Sequence, residues 1–318
     1  MADLIQIKNQ PTKDDFLKTD GLVDKISKKS KLLSKNFQKD KIDAFVKVVS
    51  CVAPKTENID ENQVSNVMQT VSTLIQTVGA SKIQPNILMM NFMRNSPSKQ
   101  EIISYVDVVK SAFRLGQGVI IQKKPVIAQV STDPAKEIHI WWWIDDGGLI
   151  TLLAHLLTKR GELTGAKLKF FTVCNANEDK DEQKARFADM LKEFRFEAAS
   201  VDVVDDPGVV MNSEDFMTED RKYKFEAVEK KAAATDSDGE VNDSERRMAT
   251  KYYLYLNSKI VEEQNKSAPG LTIVSLPVPT ISASPMLYHS WMDIMTGGVK
   301  GDCLLVRGNQ EAAITFLS

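Results

Sequence analysis

The sequence predicts an α/β protein built from two tandem halves, with mostly parallel strands flanked by helices. Runs rich in β-branched residues alternate with amphipathic segments along most of the chain. The run at 138–144 is so apolar that both faces of a strand there must be buried, as in a sheet between two helix layers. A weak internal repeat supports two halves: 86–90, a helix and 118–121 are echoed by 271–275, a helix and 303–306.

The first half reads as strands alternating with helices. Ser98 and Glu101 carry a capping-box signature, and Gly79 stands where a helix C-terminal cap belongs. Its predicted elements are, in order, a strand at 4–7, Lys-rich helices within 16–42 that break at Gly21, a strand at 44–52, a helix at 61–78, a strand at 87–93, a helix at 101–115 and a strand at 118–121.

The second half continues the same alternation. Pro285, after Ser284, is well placed for the first turn of a helix, and Pro277 is expected to end a strand. Its predicted elements are a strand at 138–144, the helix that follows it, a strand at 167–174, a helix at 181–194, a strand at 198–204, a helix at 244–265, a strand at 271–277, a helix at 284–295, and strands at 303–309 and 313–316.

The domain boundary is expected in the polar segment 123–136, which contains two prolines and resembles a linker. We therefore predict a first subdomain at 1–128 and a second at 129–318. Within the second, 207–245 is predicted to be a mobile acidic insertion, because residues 232–240 are small and acidic. Parts of 213–231 remain open to a helical interpretation.

Composition excludes several functions. The chain of 318 residues has a net charge of −2, so it lacks the basic excess that drives nucleic-acid binding. Its three cysteines, Cys51, Cys174 and Cys303, are far apart in apolar surroundings, which indicates buried thiols in a cytosolic protein. No stretch reaches the roughly 18 apolar residues of a membrane helix, and the N-terminus is not a signal peptide. A soluble chain is expected.

The sharpest candidate site is Asp145-Asp146-Gly147-Gly148, directly after the tryptophan-rich strand. Ligands of open α/β sheets bind beyond the carboxyl ends of strands, where two carboxylates could hold Mg²⁺ or act as acid and base. The alternative interpretation, which we favour, is that one aspartate caps the next helix while the glycines permit the turn. Since no third ligand is evident, we predict neither a catalytic site nor a metal site.

Other candidate chemistry is weaker. Gly297-Gly298 and Arg307-Gly308-Asn309 could form a phosphate cradle, but neither a P-loop nor a dinucleotide-binding motif is present, and turn glycines explain them better. His139, His155 and His289 do not cluster with cysteines or carboxylates at the spacing of metal ligands. We therefore expect no enzyme.

Several segments together resemble one family of membrane proteins. The segment 140–149 (IWWWIDDGGL) resembles the strand–turn–helix motif of electroneutral cation-chloride cotransporters, and 304–309 (LLVRGN), running on to 315–318, resembles that family's C-terminal end. The order and spacing agree over nearly the whole chain, with the sodium-potassium-chloride branch slightly favoured. The motif residues are Trp142, Asp145, Asp146, Gly147, Gly148, Arg307, Gly308 and Asn309. Further matching segments are 43–45, 83–88, 192–196 and 274–278.

The resemblance implies a cytosolic C-terminal regulatory domain with two α/β subdomains akin to universal stress proteins. Such a domain forms a homodimer and acts on a membrane transport domain of the same protein. The resemblance further implies that the family's first strand and helix precede Leu4, that Ser318 is a natural end, and that kinases act on the acidic insertion. The alternative hypothesis is a nucleotide-binding module of the stress-protein type, with ATP as its ligand; otherwise we expect no cofactor.

Overall fold

The computed structural model describes most of the chain from residue 86 onward. Apart from Lys35, the described residues belong to one compact unit, Met68–Ser318. The strands predicted at 4–7, 44–52 and 313–316, and nearly all of the helices predicted within 16–42 and 61–78, lie outside them. The described residues are Lys35, Val71, 73–75, 86–93, 97–123, 135–144, 147–159, 163–174, 178–193, Phe196, 198–205, 207–211, Ser213, 216–233, 243–279 and 283–309.

The predicted strands and helices that fall within the described residues are present in the predicted order, and two further helices lie between 207 and 233. The tryptophan strand begins and ends three residues earlier than expected, which leaves Trp142 and Trp143 just beyond it. The strands are β1 (Ile87–Asn91), β2 (Gly118–Lys123), β3 (Ala135–Trp141), β4 (Lys167–Val173), β5 (Ala198–Val204), β6 (Pro269–Ser275) and β7 (Asp302–Arg307). The helices are α1 (Lys99–Arg114), α2 (Leu149–Lys159), α3 (Lys180–Glu193), α4 (Pro207–Met211), α5 (Glu219–Ala233), α6 (Asp243–Lys266) and α7 (Pro285–Met295).

The seven strands form one mixed sheet in the order β1-β2-β7-β6-β3-β4-β5. Five of the neighbouring pairs are parallel, and β2 with β7 is antiparallel. Parallel neighbours need a crossover, and α1, α2, α3 and α7 each connect two adjacent parallel strands. The predicted α/β class with mostly parallel strands is confirmed.

The internal repeat noted in the sequence corresponds to two equivalent βαβ units. One is β1–α1–β2 and the other is β6–α7–β7. Their second strands pair antiparallel, with Val119 opposite Arg307 and Ile121 opposite Leu305. The sheet is therefore continuous across the predicted boundary at residue 128. The strand direction reverses between β2 and β7, where strands of the two predicted halves meet. The division into two subdomains stays a prediction.

Helices cover both faces of the sheet. On one face, α1, α6 and α7 bury a core that includes Tyr105, Ile260 and Tyr288. On the other face, α2 and α3 bury Ile150, Ala154 and Leu191 against the sheet. Successive residues of a strand point to opposite faces, so the central strands are apolar on both sides, as the tryptophan strand predicted.

The segment 207–245, predicted as a mobile acidic insertion, is helical over much of its described length, as the sequence left open for parts of 213–231, and its mobility stays a prediction. Residues 207–211 and 219–233 are the helices α4 and α5, and α6 already begins at Asp243. Phe225 and Val228 on α5 are buried, as is Phe216 just before that helix, in contact with residues of α6 and α7. These apolar side chains hold a highly charged helix on the fold, while residues 234–242 lie outside the described part of the chain.

Candidate functional site

The three consecutive tryptophans point to alternate faces at the carboxyl end of β3. Trp141 is fully buried and stacks on Phe171 of β4, with ring centroids 4.3 Å apart and planes at 12°. Trp142 lies on the other face against Phe187 of α3, at 5.2 Å between ring centroids. Its backbone N–H extends the ladder by donating to the carbonyl of Phe171 at 2.9 Å. Trp141 and Trp142 therefore contribute to the cores on opposite faces of the sheet.

The two glycines after this run make the turn into α2. Gly147 and Gly148 have φ angles of 77° and 85°, in the left-handed region that residues with a Cβ rarely adopt. The carbonyl of Gly148 accepts the first helical hydrogen bond, from Leu152 N–H at 3.0 Å. These angles support the prediction that the glycines permit the turn. Asp145 and Asp146 lie outside the described residues, so the proposed cap and the proposed metal or acid–base role stay untested.

The second motif segment lies at the end of β7. Arg307, the last residue of the strand, is 5 % exposed, and Gly308 is also buried. Asn309 donates its side-chain N–H to the carbonyl of Gly116 at 3.0 Å. This bond fastens the end of the motif to the turn between α1 and β2, so Asn309 connects the two βαβ units.

The two motif segments meet at Gly118, a residue that the sequence did not single out. A Cβ on Gly118 would lie 3.1 Å from Leu149 Cδ2 and 3.2 Å from the carbonyl oxygen of Arg307. Both distances are shorter than ordinary van der Waals contact, so a side chain at this position would require Leu149 or the Arg307 backbone to shift by a few tenths of an ångström. The structure thus brings the Gly-Gly-Leu turn and the Arg-Gly-Asn end to the same residue of β2.

A polar cluster joins the same two units on the opposite face. Lys123, the last residue of β2, donates to Asp293 Oδ1 and to Thr296 Oγ1 of α7, each at 2.8 Å. Burial alone would raise the pKa of Asp293, but the nearby Lys123 ammonium holds that pKa below its usual range. Burial lowers the pKa of His289 on α7 to about 4, so this imidazole is neutral near pH 7.

The remaining histidines occupy separate places. His139 is buried on β3, 3.6 Å from Glu137 between Nε2 and Oε2, and burial lowers its pKa. His155 on α2 packs edge-on against Phe196 at 5.1 Å between ring centroids. In the described part of the chain, no group of three or more histidine, cysteine or acidic side chains is arranged to hold a metal ion.

The two segments weighed as a phosphate cradle, for which turn glycines were the favoured interpretation, lie in different surroundings. Gly297 and Gly298 follow α7 and line a cleft of about 670 Å³ beside α6. Arg307, Gly308 and Asn309 do not line this cleft but contact β2 and the turn before it. Gly298 has a φ of 70°, which fits the role of a turn glycine.

The cationic groups of that cleft are already engaged by the chain itself. Lys259 pairs with Glu262 at 3.2 Å, and Lys224 pairs with Asp220 at 2.7 Å. Arg221 donates to the carbonyl of Phe216 at 2.6 Å. Each of these cationic groups therefore already has an acceptor within the chain.

The sequence profile of solute carrier family 12 matches residues 4–133 and 123–318. The chain therefore belongs to this family. Solute carrier family 12 member 3 of Pseudopleuronectes americanus is 26% identical over 313 residues, covering 77% of this chain and 30% of the relative. The bumetanide-sensitive sodium-(potassium)-chloride cotransporter of Manduca sexta is 27% identical over 239 residues, covering 74% of this chain and 20% of the relative.

The chain thus spans less than a third of the length of these relatives. The resemblance to cation-chloride cotransporters that the motif segments indicated is confirmed by this membership. Among solved structures, the cytoplasmic domain of a prokaryotic cation chloride cotransporter aligns with a TM-score of 0.47 at 13% identity, over 87% of this chain and 78% of that one. In the described residues, no helix has the length and apolarity needed to cross a bilayer.

Proposed function

We propose that this chain is the cytosolic regulatory and homodimerisation domain of a cation-chloride cotransporter. The observation that carries the proposal is the family match over nearly the whole chain, combined with a length that corresponds to only a part of the relatives. The parent protein would couple the transport of sodium, potassium and chloride, as the name of the Manduca sexta relative states for that protein. The transport path would belong to a membrane domain of the same protein, and this chain would lie on its cytoplasmic side.

The contacts of the described motif residues are structural. Trp142, Gly148 and Gly118 set the packing between the sheet and α2, and Asn309 connects the two βαβ units. These contacts make the sheet a continuous body through which the membrane domain and a second copy would be held together. Phosphorylation of the acidic segment 232–240 by kinases would provide further regulation, because phosphate groups add negative charge to an already acidic stretch.

A chimeric transporter tests this function. The segment of the Manduca sexta cotransporter that matches this chain would be replaced by this chain, and bumetanide-sensitive rubidium uptake measured in cells. We expect uptake well above that of a variant in which the segment is simply deleted. Surface labelling controls for delivery to the membrane. A chimera that reaches the surface but transports no more than the deletion variant contradicts the proposal.

A further inference from the structure

The cleft beside α6 has the size of a small-molecule site. Its volume of about 670 Å³ falls within the roughly 300–1,000 Å³ of such sites. Two aromatic residues line it, but Phe216 is 3 % exposed and Tyr255 is fully buried, so neither offers an open ring face on which a nucleotide base could stack. Hydroxyl and amide side chains that line the cleft include Ser213, Thr218, Ser258 and Asn265.

Three cationic side chains from two helices also line this cleft: Arg221 and Lys224 of α5, and Lys259 of α6. Arg221 is held in place, because its Cζ lies 4.8 Å from the centroid of the Phe216 ring and one of its N–H groups donates to the Phe216 carbonyl at 2.6 Å. In the part of the chain that the structure describes, Arg221 forms no ion pair with a carboxylate. Since a guanidinium has five N–H donors, Arg221 can still donate to an anionic ligand.

The two lysines form local pairs that a ligand can displace. Lys224 pairs with Asp220 four positions earlier on α5, and Lys259 pairs with Glu262 three positions further along α6. The two carboxylates are 70 % and 51 % exposed. Ion pairs this exposed contribute little to stability, so a phosphate group can take over either lysine at low cost.

The carboxylates indicate which kind of phosphate compound fits. Asp220 and Glu262 both line the cleft, next to the three cations. They would repel a ligand that consists of phosphate alone, but each can accept a hydrogen bond from a ligand hydroxyl group. A lining that combines cations, carboxylates and hydroxyl groups therefore suits a ligand that carries both phosphates and hydroxyls.

We propose that this cleft binds a phosphorylated polyol of the inositol phosphate type. Its phosphates bind Arg221, Lys224 and Lys259, and its hydroxyls donate to Asp220 and Glu262. A free inositol phosphate and the headgroup of a phosphoinositide lipid share this chemistry. The site is separate from the motif segments and requires neither homodimerisation nor transport.

Isothermal titration calorimetry of the 318-residue chain with inositol trisphosphate tests the site. We expect Arg221→Gln and Lys259→Gln each to raise the dissociation constant at least tenfold. Lys222→Gln is the matched control: Lys222 is also on α5 and pairs with Glu219 at 3.1 Å, but it does not line the cleft. This variant is expected to stay within twofold of the natural chain. Circular dichroism confirms that the three variants are folded.

A comparison with pyrophosphate, which has no polyol hydroxyls, tests the role of the carboxylates. Glu262→Gln is expected to weaken the binding of inositol trisphosphate at least threefold, because a hydroxyl loses its acceptor. The same variant is expected to bind pyrophosphate at least as tightly as the natural chain does, because a repulsive charge is removed. Tighter binding of both compounds by Glu262→Gln would overturn the assignment of a polyol.

Vesicles distinguish the two sources of the ligand. Phosphatidylcholine vesicles with and without phosphatidylinositol bisphosphate are sedimented with the natural chain and with Arg221→Gln. Co-sedimentation that requires the phosphoinositide and is lost in Arg221→Gln assigns the cleft to the lipid headgroup, whereas binding of inositol trisphosphate alone assigns it to the free compound.

Two results overturn the proposal. One is the absence of binding to both inositol trisphosphate and the phosphoinositide vesicles at millimolar concentration. The other is binding of ATP that is as tight as that of inositol trisphosphate and equally dependent on Arg221, which would assign the cleft to a nucleotide. Neither result affects the rubidium-uptake test of the chimera, so a failure here leaves the proposed function of the chain standing.

Discussion

Gly118 shows what single residues contribute that a sequence pattern does not reveal. The turn role of Gly147 and Gly148 is predictable, because two glycines between a strand and an apolar helical run require an abrupt change of direction. Gly118 gives no such local signal, since its importance comes from Leu149 and Arg307, which are distant in sequence and crowd the position of its missing Cβ. Local chemistry thus predicts the turn but not the tertiary packing at the site.

His289 is a second residue whose role is set by tertiary surroundings. Its ring stacks on Phe92 at 4.8 Å between centroids and lies edge-on to Tyr105 of α1 at 6.3 Å. Among the charged groups that act on it, Asp293, one turn further along α7, raises its pKa, and Lys231 of α5 and then Lys123 of β2 lower it. Since a neutral imidazole packs well between rings while a charged one loses solvation there, burial dominates and the pKa falls to about 4.

This depressed pKa predicts that stability decreases as the pH falls from about 6.5 to 4. In that window the unfolded chain binds a proton at His289 and the folded chain does not, so protonation favours unfolding. The contribution is fully present above the unfolded value of 6.5 and is lost on acidification. We expect a loss on the order of 2 kcal/mol between pH 7 and pH 4.5. Urea unfolding of the natural chain and of His289→Gln at each pH measures it.

Comparison of the natural chain with His289→Gln isolates the contribution of His289 to the pH dependence of stability. The natural chain should lose more stability than His289→Gln over the same pH range, because His139, whose pKa is also lowered, is common to both. Asp293 titrates below its ordinary value of 3.8 and does not enter this window. Met248→Gln, at a position of α6 that is 61 % exposed, is the control and should keep the natural pH slope. Parallel pH profiles for the natural chain and His289→Gln would show that burial does not hold the imidazole neutral.

At the scale of elements, helix ends are predictable and helix burial less so. The capping box of α1 is present, with Ser98 N–H donating to Glu101 Oε2 at 2.7 Å and Glu101 N–H donating to Ser98 Oγ at 3.3 Å. Ser284 likewise caps α7. By contrast, α5 is rich in lysine and glutamate, so the sequence left a helix within 213–231 open and did not predict its burial, yet Phe225 and Val228 pack α5 against the fold. Two apolar residues among many charges give a weak periodic signal, so tertiary contacts decide.

The contact between β2 and α7 is the other element-scale feature that the sequence does not reveal. Lys123 Nζ lies 4.6 Å from the centroid of the Phe92 ring, in addition to its hydrogen bonds to Asp293 and Thr296. The Lys123 side chain is only 13% exposed. Although its partner Asp293 is 54 % exposed, a largely buried ammonium with several partners is worth more than a surface ion pair, because water has little access to the ammonium itself.

Lys123→Met is therefore expected to lower the free energy of unfolding by about 1–2 kcal/mol. Methionine keeps the apolar stem but removes the charged donor. Lys184→Met is the matched control: Lys184 also pairs with an aspartate, Asp202 at 3.2 Å, but both side chains are about half exposed. That change should cost less than about 0.5 kcal/mol. Chemical denaturation of the three proteins measures the difference, and equal losses in the two variants would contradict the assigned role of Lys123.

At the scale of the molecule, the sequence predicts the repeat but not how the repeated units meet. Each βαβ unit is specified locally by two apolar strands and the amphipathic helix between them. The second strands of the units, β2 and β7, pair antiparallel, and the paired residues lie about 180 residues apart in the chain. A single sequence gives no signal for a pairing between such distant strands. The pairing makes the two predicted subdomains share one sheet, with an approximate two-fold relation between their units.

Because the sheet is shared, core substitutions on either side of the predicted boundary are expected to destabilise the same folding unit. Ile121 of β2 and Ile140 of β3 are both fully buried, and they belong to the first and the second predicted subdomain respectively. Ile121→Ala and Ile140→Ala should each cost roughly 2–4 kcal/mol, because each leaves a cavity in a packed core. In differential scanning calorimetry we expect both to lower the same transition by roughly 5–10 °C.

If the halves fold independently, each variant would instead shift a different transition, since separate domains unfold separately. Met248→Ala, at an exposed position of α6, is the control and should leave the melting profile within about 1 °C. A common transition for Ile121→Ala and Ile140→Ala would mean that the antiparallel β2–β7 pair couples the two repeated units as strongly as the parallel pairs do within each of them.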